Sequence, residues 1–227
     1  MAKRAPGFGG PIAARYDAWY ATPEGRKADA LEKASLWRTL ESFGHVESVL
    51  EVGCGTGHFT RWLSDQGLVA AGLDNSTAML LQAQRLDSDV LVQGDALHLP
   101  FCDGAFDLVA FITALEFLEQ PRQALLEGLR VARQGLLLGV LNRHSVLGLQ
   151  RRLTSLLRPT VYGRARFLSV VEVKRLLQSV AGAGTRIVWH TTLFPRCWPW
   201  PQAHLPWGAF LTMALIAPHE QRGKCPS

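Results

Sequence analysis

A short apolar run, Val49 to Val52, stops at three glycines on alternate positions, Gly53, Gly55 and Gly57. A helical pattern follows at once, with Phe59, Trp62 and Leu63 at i, i+3 and i+4. Strand, glycine turn and helix N-terminus in direct succession leave few folds open. Glycine reaches backbone geometries barred to other residues, and its missing Cβ lets a ligand approach the main chain. Strand-like and helix-like stretches then alternate from Ser48 to Leu141. That alternation predicts a parallel sheet with helices on both faces.

The glycine spacing narrows the ligand. The dinucleotide fingerprint G-x-G-x-x-G seats a pyrophosphate on the helix N-terminus. Here the third glycine comes one residue early, and His58 stands where the fingerprint places glycine. A second apolar run, Val69 to Leu73, ends in Asp74. An acid at the end of strand two can accept hydrogen bonds from both hydroxyls of a ribose. Asp74 therefore points to a nucleoside ligand without telling a nicotinamide cofactor from any other. Ser76 is placed to cap a helix that carries Met79, Leu80, Ala83 and Leu86 on one face. A third run, Val90 to Val92, leads into Gly94-Asp95-Ala96.

Four segments in order carry a family resemblance. They are Glu51-x-Gly53-x-Gly55-x-Gly57, Asp74, the Asp95 segment with Leu99-Pro100-Phe101-x-Asp103-Gly104-x-Phe106-Asp107, and Thr113-Ala114-Leu115-Glu116-Phe117-Leu118 after a fourth strand, Leu108 to Ile112. The chain resembles class I S-adenosylmethionine (SAM) dependent methyltransferases of the type 11 subgroup, over roughly Val49 to Ile216. The resemblance implies an α/β, Rossmann-like fold: a mostly parallel seven-stranded sheet with helices on both faces and a final antiparallel strand. It also implies SAM as cofactor. The glycine turn, with Glu51, Gly53, Gly55 and Gly57, would carry the amino-acid end. Asp74 would hold the sugar. Asp95 and the Ala96 amide would hold the adenine, and Asn75, Met79 and Thr113 would be further cofactor-binding residues. A carboxylate such as Glu51 suits a cationic ligand on Coulomb grounds. Two departures from the family stand out. Arg133-Gln134-Gly135 replaces the usual Pro-Gly-Gly bend, and His58 replaces a small or acidic residue.

Methyl transfer needs a general base only where the acceptor must lose a proton. By motif position the candidates facing the reaction chamber are Tyr16, Glu116, Asn142 and His144, each with a structural role as the competing explanation. The segment Arg15-Tyr16-Asp17-Ala18-Trp19-Tyr20-x-x-Pro23-x-Gly25-Arg26 resembles the entry segment of type 11 enzymes, which folds over the cofactor as a lid. Residues 12–43 read as helical, with Leu36, Trp37, Leu40 and Phe43 on a recurrent apolar face. Ser169 to Glu172 reads as a capping box that opens another helix. The expected organisation is a leader at 1–11, one domain at 12–219 with a lid at 12–43 and a Trp/Pro-rich loop at 194–208, and a flexible tail at 220–227. That loop either roofs a hydrophobic substrate pocket, touches a membrane surface or packs on itself.

Composition bounds the alternatives. The 227 residues carry a formal charge of +5, and 48% are hydrophobic, enough for one sizeable core. No run approaches the roughly 18 apolar residues of a membrane span. From Leu141 to Val180 there are eight basic residues and one acid. Such a tract can meet nucleic acid or anionic lipid, or simply stay solvated. The Asn/Asp-Pro-Pro-aromatic tetrapeptide of adenine-methylating enzymes is absent, which disfavours a nucleic-acid substrate. The four cysteines match no zinc spacing and suggest no disulfide framework, so a reducing cytoplasm and no metal are expected. The reading is a SAM-dependent methyltransferase with a small, apolar or amphipathic acceptor and peripheral membrane contact as an option. A non-catalytic SAM-binding protein and a nicotinamide-dependent oxidoreductase are the alternatives. Oligomeric state is not encoded in any motif here.

Overall fold

The computed structural model describes residues 13, 16–88, 90–143, 165–194 and 202–218. The leader at 1–11, the tail at 220–227, His144, residues 195–201 of the Trp/Pro loop, and Arg151, Arg152, Arg158 and Arg164 of the basic tract lie outside the described residues. The strands are β1 (Ser48–Val52), β2 (Val69–Asp74), β3 (Leu91–Gln93), β4 (Phe106–Ile112), β5 (Ala132–Leu141), β6 (Arg186–Thr192), β7 (Gln202–Ala203) and β8 (Phe210–Ile216). The helices are α1 (Pro23–Leu40), α2 (His58–Asp65), α3 (Thr77–Arg85), α4 (Pro121–Val131) and α5 (Val170–Gln178).

The sheet runs β3-β2-β1-β4-β5-β8-β6-β7. Strands β1 to β5 pair in parallel, and β8 runs antiparallel to both β5 and β6. This is the expected seven-stranded, mostly parallel sheet with its antiparallel strand. The two-residue β7 adds an eighth strand at the edge, antiparallel to β6, where a loop alone was expected. The chain leaves β1 toward β2 and β3, then returns to the other side of β1 for β4 and β5. The carboxyl ends of β1 and β4 therefore flank a topological switch point, the usual ligand crevice of an open α/β sheet.

Side-chain alternation splits the core into two layers. Leu50, Val109, Phe111 and Leu138 face α4 and α5, packing with Leu125, Val131, Val173 and Leu177. Val49, Leu108, Ala110 and Phe210 face α1 and α2, packing with Leu36, Leu40, Phe59 and Leu63. Because both faces are covered, the strands read as continuous apolar runs.

Local signals fix where helices begin. Thr22 caps α1 by accepting from the Gly25 amide, with Pro23 in the first turn. Ser76 caps α3 by accepting from the Met79 amide, and Ser169 with Glu172 forms the expected capping box of α5. On α1 the buried face is Ala28, Glu32, Ser35, Leu36, Thr39 and Leu40, so it is more polar than the sequence pattern suggested. Ser35 and Thr39 hydrogen-bond to Thr212 of β8 at 2.9 and 2.8 Å, which satisfies polar groups that would otherwise be costly to bury. Trp37 lies half-buried at the flank, edge-on to Trp62 at 6.3 Å.

The Leu99–Asp107 signature proves to be a buckle. The Arg130 guanidinium donates to Leu99 O at 3.0 Å, Phe101 O at 2.8 Å and Asp103 Oδ1 at 2.8 Å. Asp107 accepts from the Glu47 and Ser48 amides at 3.0 Å and from Arg133 at 3.1 Å. These bonds pin the β3–β4 connection to α4 and to the start of β1. Cys54 is free and buried, whereas Cys102 is disulfide-bonded, contrary to the expectation of no disulfide. Spacing along a chain does not report which cysteines a fold brings together. Among the described residues no helix is long and apolar enough to cross a membrane, and no cluster of metal-ligating side chains forms.

Candidate active site

A cavity of about 380 Å³ opens at the switch point, within the range of small-molecule sites. Each strand end contributes to it. After β1 come Gly53, Cys54 and Gly55; at the end of β2, Asp74 and Asn75; after β3, Gly94, Asp95 and Ala96; at the end of β4, Ile112, Thr113 and Ala114. Glu51 of β1 and Met79 of α3 also line it. Nine of the ten sequence-derived cofactor residues thus meet around one space. The exception is Gly57, which lies outside the lining. It caps α2 at φ 74°, and a Cβ there would sit 2.3 Å from Ser88 Oγ. Its requirement is a left-handed turn packed on a neighbour, and not room for a ligand. At Gly55, by contrast, an added Cβ would meet nothing within 4 Å, so the turn is open there.

Hydrogen bonding orients the acids. Asp74 Oδ2 accepts from the Gly55 amide at 2.9 Å, and Oδ1 accepts from the Ser76 amide at 2.8 Å. An ionised carboxylate has about four acceptor positions, so capacity remains for donors in the cavity. Burial raises the Asp74 pKa, and backbone donors at Ser76, Gly55 and Asn75 work against that rise. Asp95 Oδ1 accepts from the Leu97 amide at 2.9 Å in a tight turn that leaves the side chain exposed. Glu51 is only 1% exposed and accepts from Thr60 Oγ1. Burial pushes its pKa to about 8; the Thr60 hydrogen bond opposes the rise and the neighbouring Asp74 charge adds to it. Thr113 sits at φ 49°, an uncommon left-handed geometry for a β-branched residue, and its amide donates to Gly139 O at 2.7 Å.

The lining has a definite electrostatic character. Among the described residues it contains four acids, Glu51, Asp74, Asp95 and Glu119, and no lysine or arginine. A pyrophosphate would face these acids with no described lysine or arginine to offset them. A cationic ligand bearing hydroxyls and an aromatic base meets acceptors, open backbone and the rings of Tyr16, Tyr20, Phe59 and Phe117. These residues fit an adenosyl sulfonium.

The four acceptor-side candidates fall in different places. Tyr16 lines the cavity. Glu116 is 2% exposed and lies outside the lining; its Oε1 accepts from the Leu141 amide at 2.6 Å, and its Oε2 has no hydrogen-bond partner among the described residues. Burial pushes its pKa to about 7, against the Leu141 hydrogen bond. Asn142 also lies outside the lining, 1% exposed, with Nδ2 donating to Pro206 O at 2.7 Å and Gly208 O at 2.8 Å. It tethers the β7–β8 connection. His144 lies outside the described residues. Phe117 and Leu118 belong to the quoted tract Thr113–Leu118, whereas sequence reasoning passed over Glu119. The 3-10 turn Leu115–Phe117 ends in an extended Leu118, and Phe117, Leu118 and Glu119 line the cavity while the Glu116 side chain is buried against the end of β5. No periodicity announces a turn of three residues. Tyr20 lay within the quoted entry segment, and His58 was marked only as a departure.

With that geometry in place, comparison with known proteins is direct. A family model described as a methyltransferase domain, of the type 11 group, matches residues 50–138. A demethylmenaquinone methyltransferase of Renibacterium salmoninarum is 38% identical over 104 residues, which cover 44% of each chain. An uncharacterized protein of Mycobacterium tuberculosis is 34% identical over 184 residues, 79% of this chain and 60% of that one. The matched stretch therefore spans about half the length of these relatives. A SAM-dependent methyltransferase structure from Thermotoga maritima superposes with a TM-score of 0.68 at 22% identity, covering 91% of this chain and 96% of that one. Magnesium protoporphyrin IX methyltransferase from Synechocystis, solved with S-adenosylhomocysteine (SAH), gives 0.64 at 16% identity, covering 92% and 96%. These two likenesses show the fold. The fold is that of class I SAM-dependent methyltransferases. Residues 50–138 match the type 11 methyltransferase family within that class.

Proposed function

We propose that the chain transfers the methyl group of SAM to a small, apolar or amphipathic acceptor. The observation that carries the reading is the ring of four acidic side chains, without a lysine or arginine among the described residues, around a cavity that opens on the glycine turn. Asp74 holds the ribose hydroxyls, Asp95 and the Ala96 amide hold the adenine, and Glu51 with the Gly53–Gly55 backbone faces the amino-acid end. Asn75, Met79 and Thr113 complete the walls. When bound, the cofactor supplies a methyl carbon already activated by its sulfonium. The protein's part is to orient, to exclude water and to leave an approach to that carbon. Tyr16 is the candidate on the acceptor side that borders the cavity. Glu116 is too enclosed to touch an acceptor in this arrangement.

Two observations support an amphipathic acceptor. Phe117 and Leu118 give the cavity an apolar wall. A second groove of about 580 Å³ lies between α5 and the β6–β8 region, lined by Val171, Lys174, Arg175, Trp189 and His204, with exposed Trp207 adjoining Pro206 of its wall. Apolar and basic groups side by side suit contact with an anionic membrane surface as the source of such an acceptor. Relatives named for methylating demethylmenaquinone and malonyl-[acyl-carrier protein] fit the same chemical range. Calorimetric titration with SAM and SAH tests the cofactor, and transfer of labelled methyl to quinols, fatty acids and amines tests the acceptor. Micromolar binding with transfer to an apolar acceptor is expected. Binding without transfer would make this a SAM-binding protein. Folded protein that binds neither ligand would end the proposal.

A further inference from the structure

We propose that His58 is a positioning residue that latches the N-terminal aromatic segment over the cavity, a role that deepens the methyltransferase reading and rests on it. One side chain joins three elements. It projects from the first residue of α2. Its imidazole stacks on Tyr20, with ring centroids 3.8 Å apart and planes 10° from parallel. Its Nε2 lies 2.7 Å from Asp29 Oδ1 on α1. A carboxylate in its ionised form only accepts, so Nε2 is the donor and the tautomer follows. Lys33 completes the clamp, donating to Asp29 Oδ2 at 2.8 Å. Burial acts to raise the Asp29 pKa, but the hydrogen bonds from His58 and Lys33 outweigh it and hold the carboxyl below its usual range. Asp29 is therefore a fixed anchor at neutral pH.

Two further contacts seat the same segment. Thr56 Oγ1, inside the glycine turn and 1% exposed, donates to Asp17 Oδ1 at 2.8 Å. Gly25 lets the turn press on the start of α1, where an added Cβ would lie 1.9 Å from Trp19 O. Tyr16, Tyr20 and His58 all line the cavity, so the latch is part of its roof. A small residue at position 58 would leave Tyr20 without its stacking partner and Asp29 without one donor. The roof is thus assembled before any ligand arrives, which favours tight binding and slow exchange by preorganisation.

Hydrogen exchange of the free protein tests the latch without a ligand. In His58→Ala the amides of residues 16–22 should exchange about tenfold faster, while those of β4 keep their protection. Tyr20→Ala should reproduce the change, the double variant should be no worse than either single one, and Tyr20→Phe should keep the slow exchange. In parallel, His58→Ala should weaken SAH binding about tenfold, mostly through faster release. Unchanged exchange at 16–22 in His58→Ala, or full additivity with Tyr20→Ala, would overturn the latch. Should wild-type protein bind no SAH, the methyltransferase reading falls, while the exchange comparison still decides the latch.

Discussion

The two halves of the sheet's carboxyl edge use the same residue types to different ends. Over β1, β2 and β3, polar side chains keep spare capacity: Asp74 and Asp95 each turn acceptor positions toward open space. Toward β5 and β8, polar side chains spend themselves on the protein. Asn142 holds the β7–β8 connection, and Thr212 takes both Ser35 and Thr39. Two glutamates sharpen the contrast. Both are fully enclosed and both have raised pKa values, yet Glu51 borders the cavity and Glu116 does not. Position at a strand end nominates a residue; unspent hydrogen-bonding capacity facing a void makes it part of a site.

The sharpest way to break this contrast is Asp74→Ala. It should weaken SAH binding by about a hundredfold or more, the scale of two charged hydrogen bonds, with folding intact by thermal melt. Retained affinity would erase the distinction between the halves. Next is the pH dependence of SAM binding. A cation beside Glu51 favours its ionised form, so binding releases a proton. Affinity should then rise about tenfold or more from pH 6 to pH 8 and level off above the free pKa of about 8. Glu51→Gln should flatten that rise in a titration series. On the other half, Asn142→Ala should cost stability, about 1–3 kcal/mol, by removing the donor to the Pro206 carbonyl and to the buried Gly208 carbonyl. SAH affinity should stay within about twofold. The smallest effect belongs to Glu116→Gln. The folded pKa of about 7 lies above the unfolded value, so wild-type stability falls as pH rises through that window and is constant above it. The variant should therefore melt slightly higher than wild type at pH 8 and show no gain at pH 4. An equal gain at both values would remove the titration as its cause.

Much of this arrangement was readable from the chain. The apolar runs ending at Gly53, Asp74 and Asp95 gave the strands, and both covered faces follow from their continuity. The cofactor side was legible because its chemistry sits at strand ends, where a turn residue has no packing role to hide behind. Gly57 misled because a left-handed cap and a ligand-facing glycine look the same in one dimension. The polar stripe Ser35–Thr39 on α1 was invisible because its partner, Thr212, lies far along the sequence. Glu116 and Glu119 exchanged places for a local reason, the end of a three-residue turn at Phe117. The latch was missed because it depends on Asp29 and Tyr20 meeting His58, and only the folded chain brings them together.

Strand β8 carries a consequence for biosynthesis. It fills the gap between β5 and β6, yet it follows every other strand in the sheet along the chain. A ribosome thus releases β1 to β6 while the flank of β5 still shows bare amides and carbonyls. Until Phe210–Ile216 emerges, the nascent sheet has a sticky, unfinished seam at its middle. Chaperone demand during translation should concentrate in that interval.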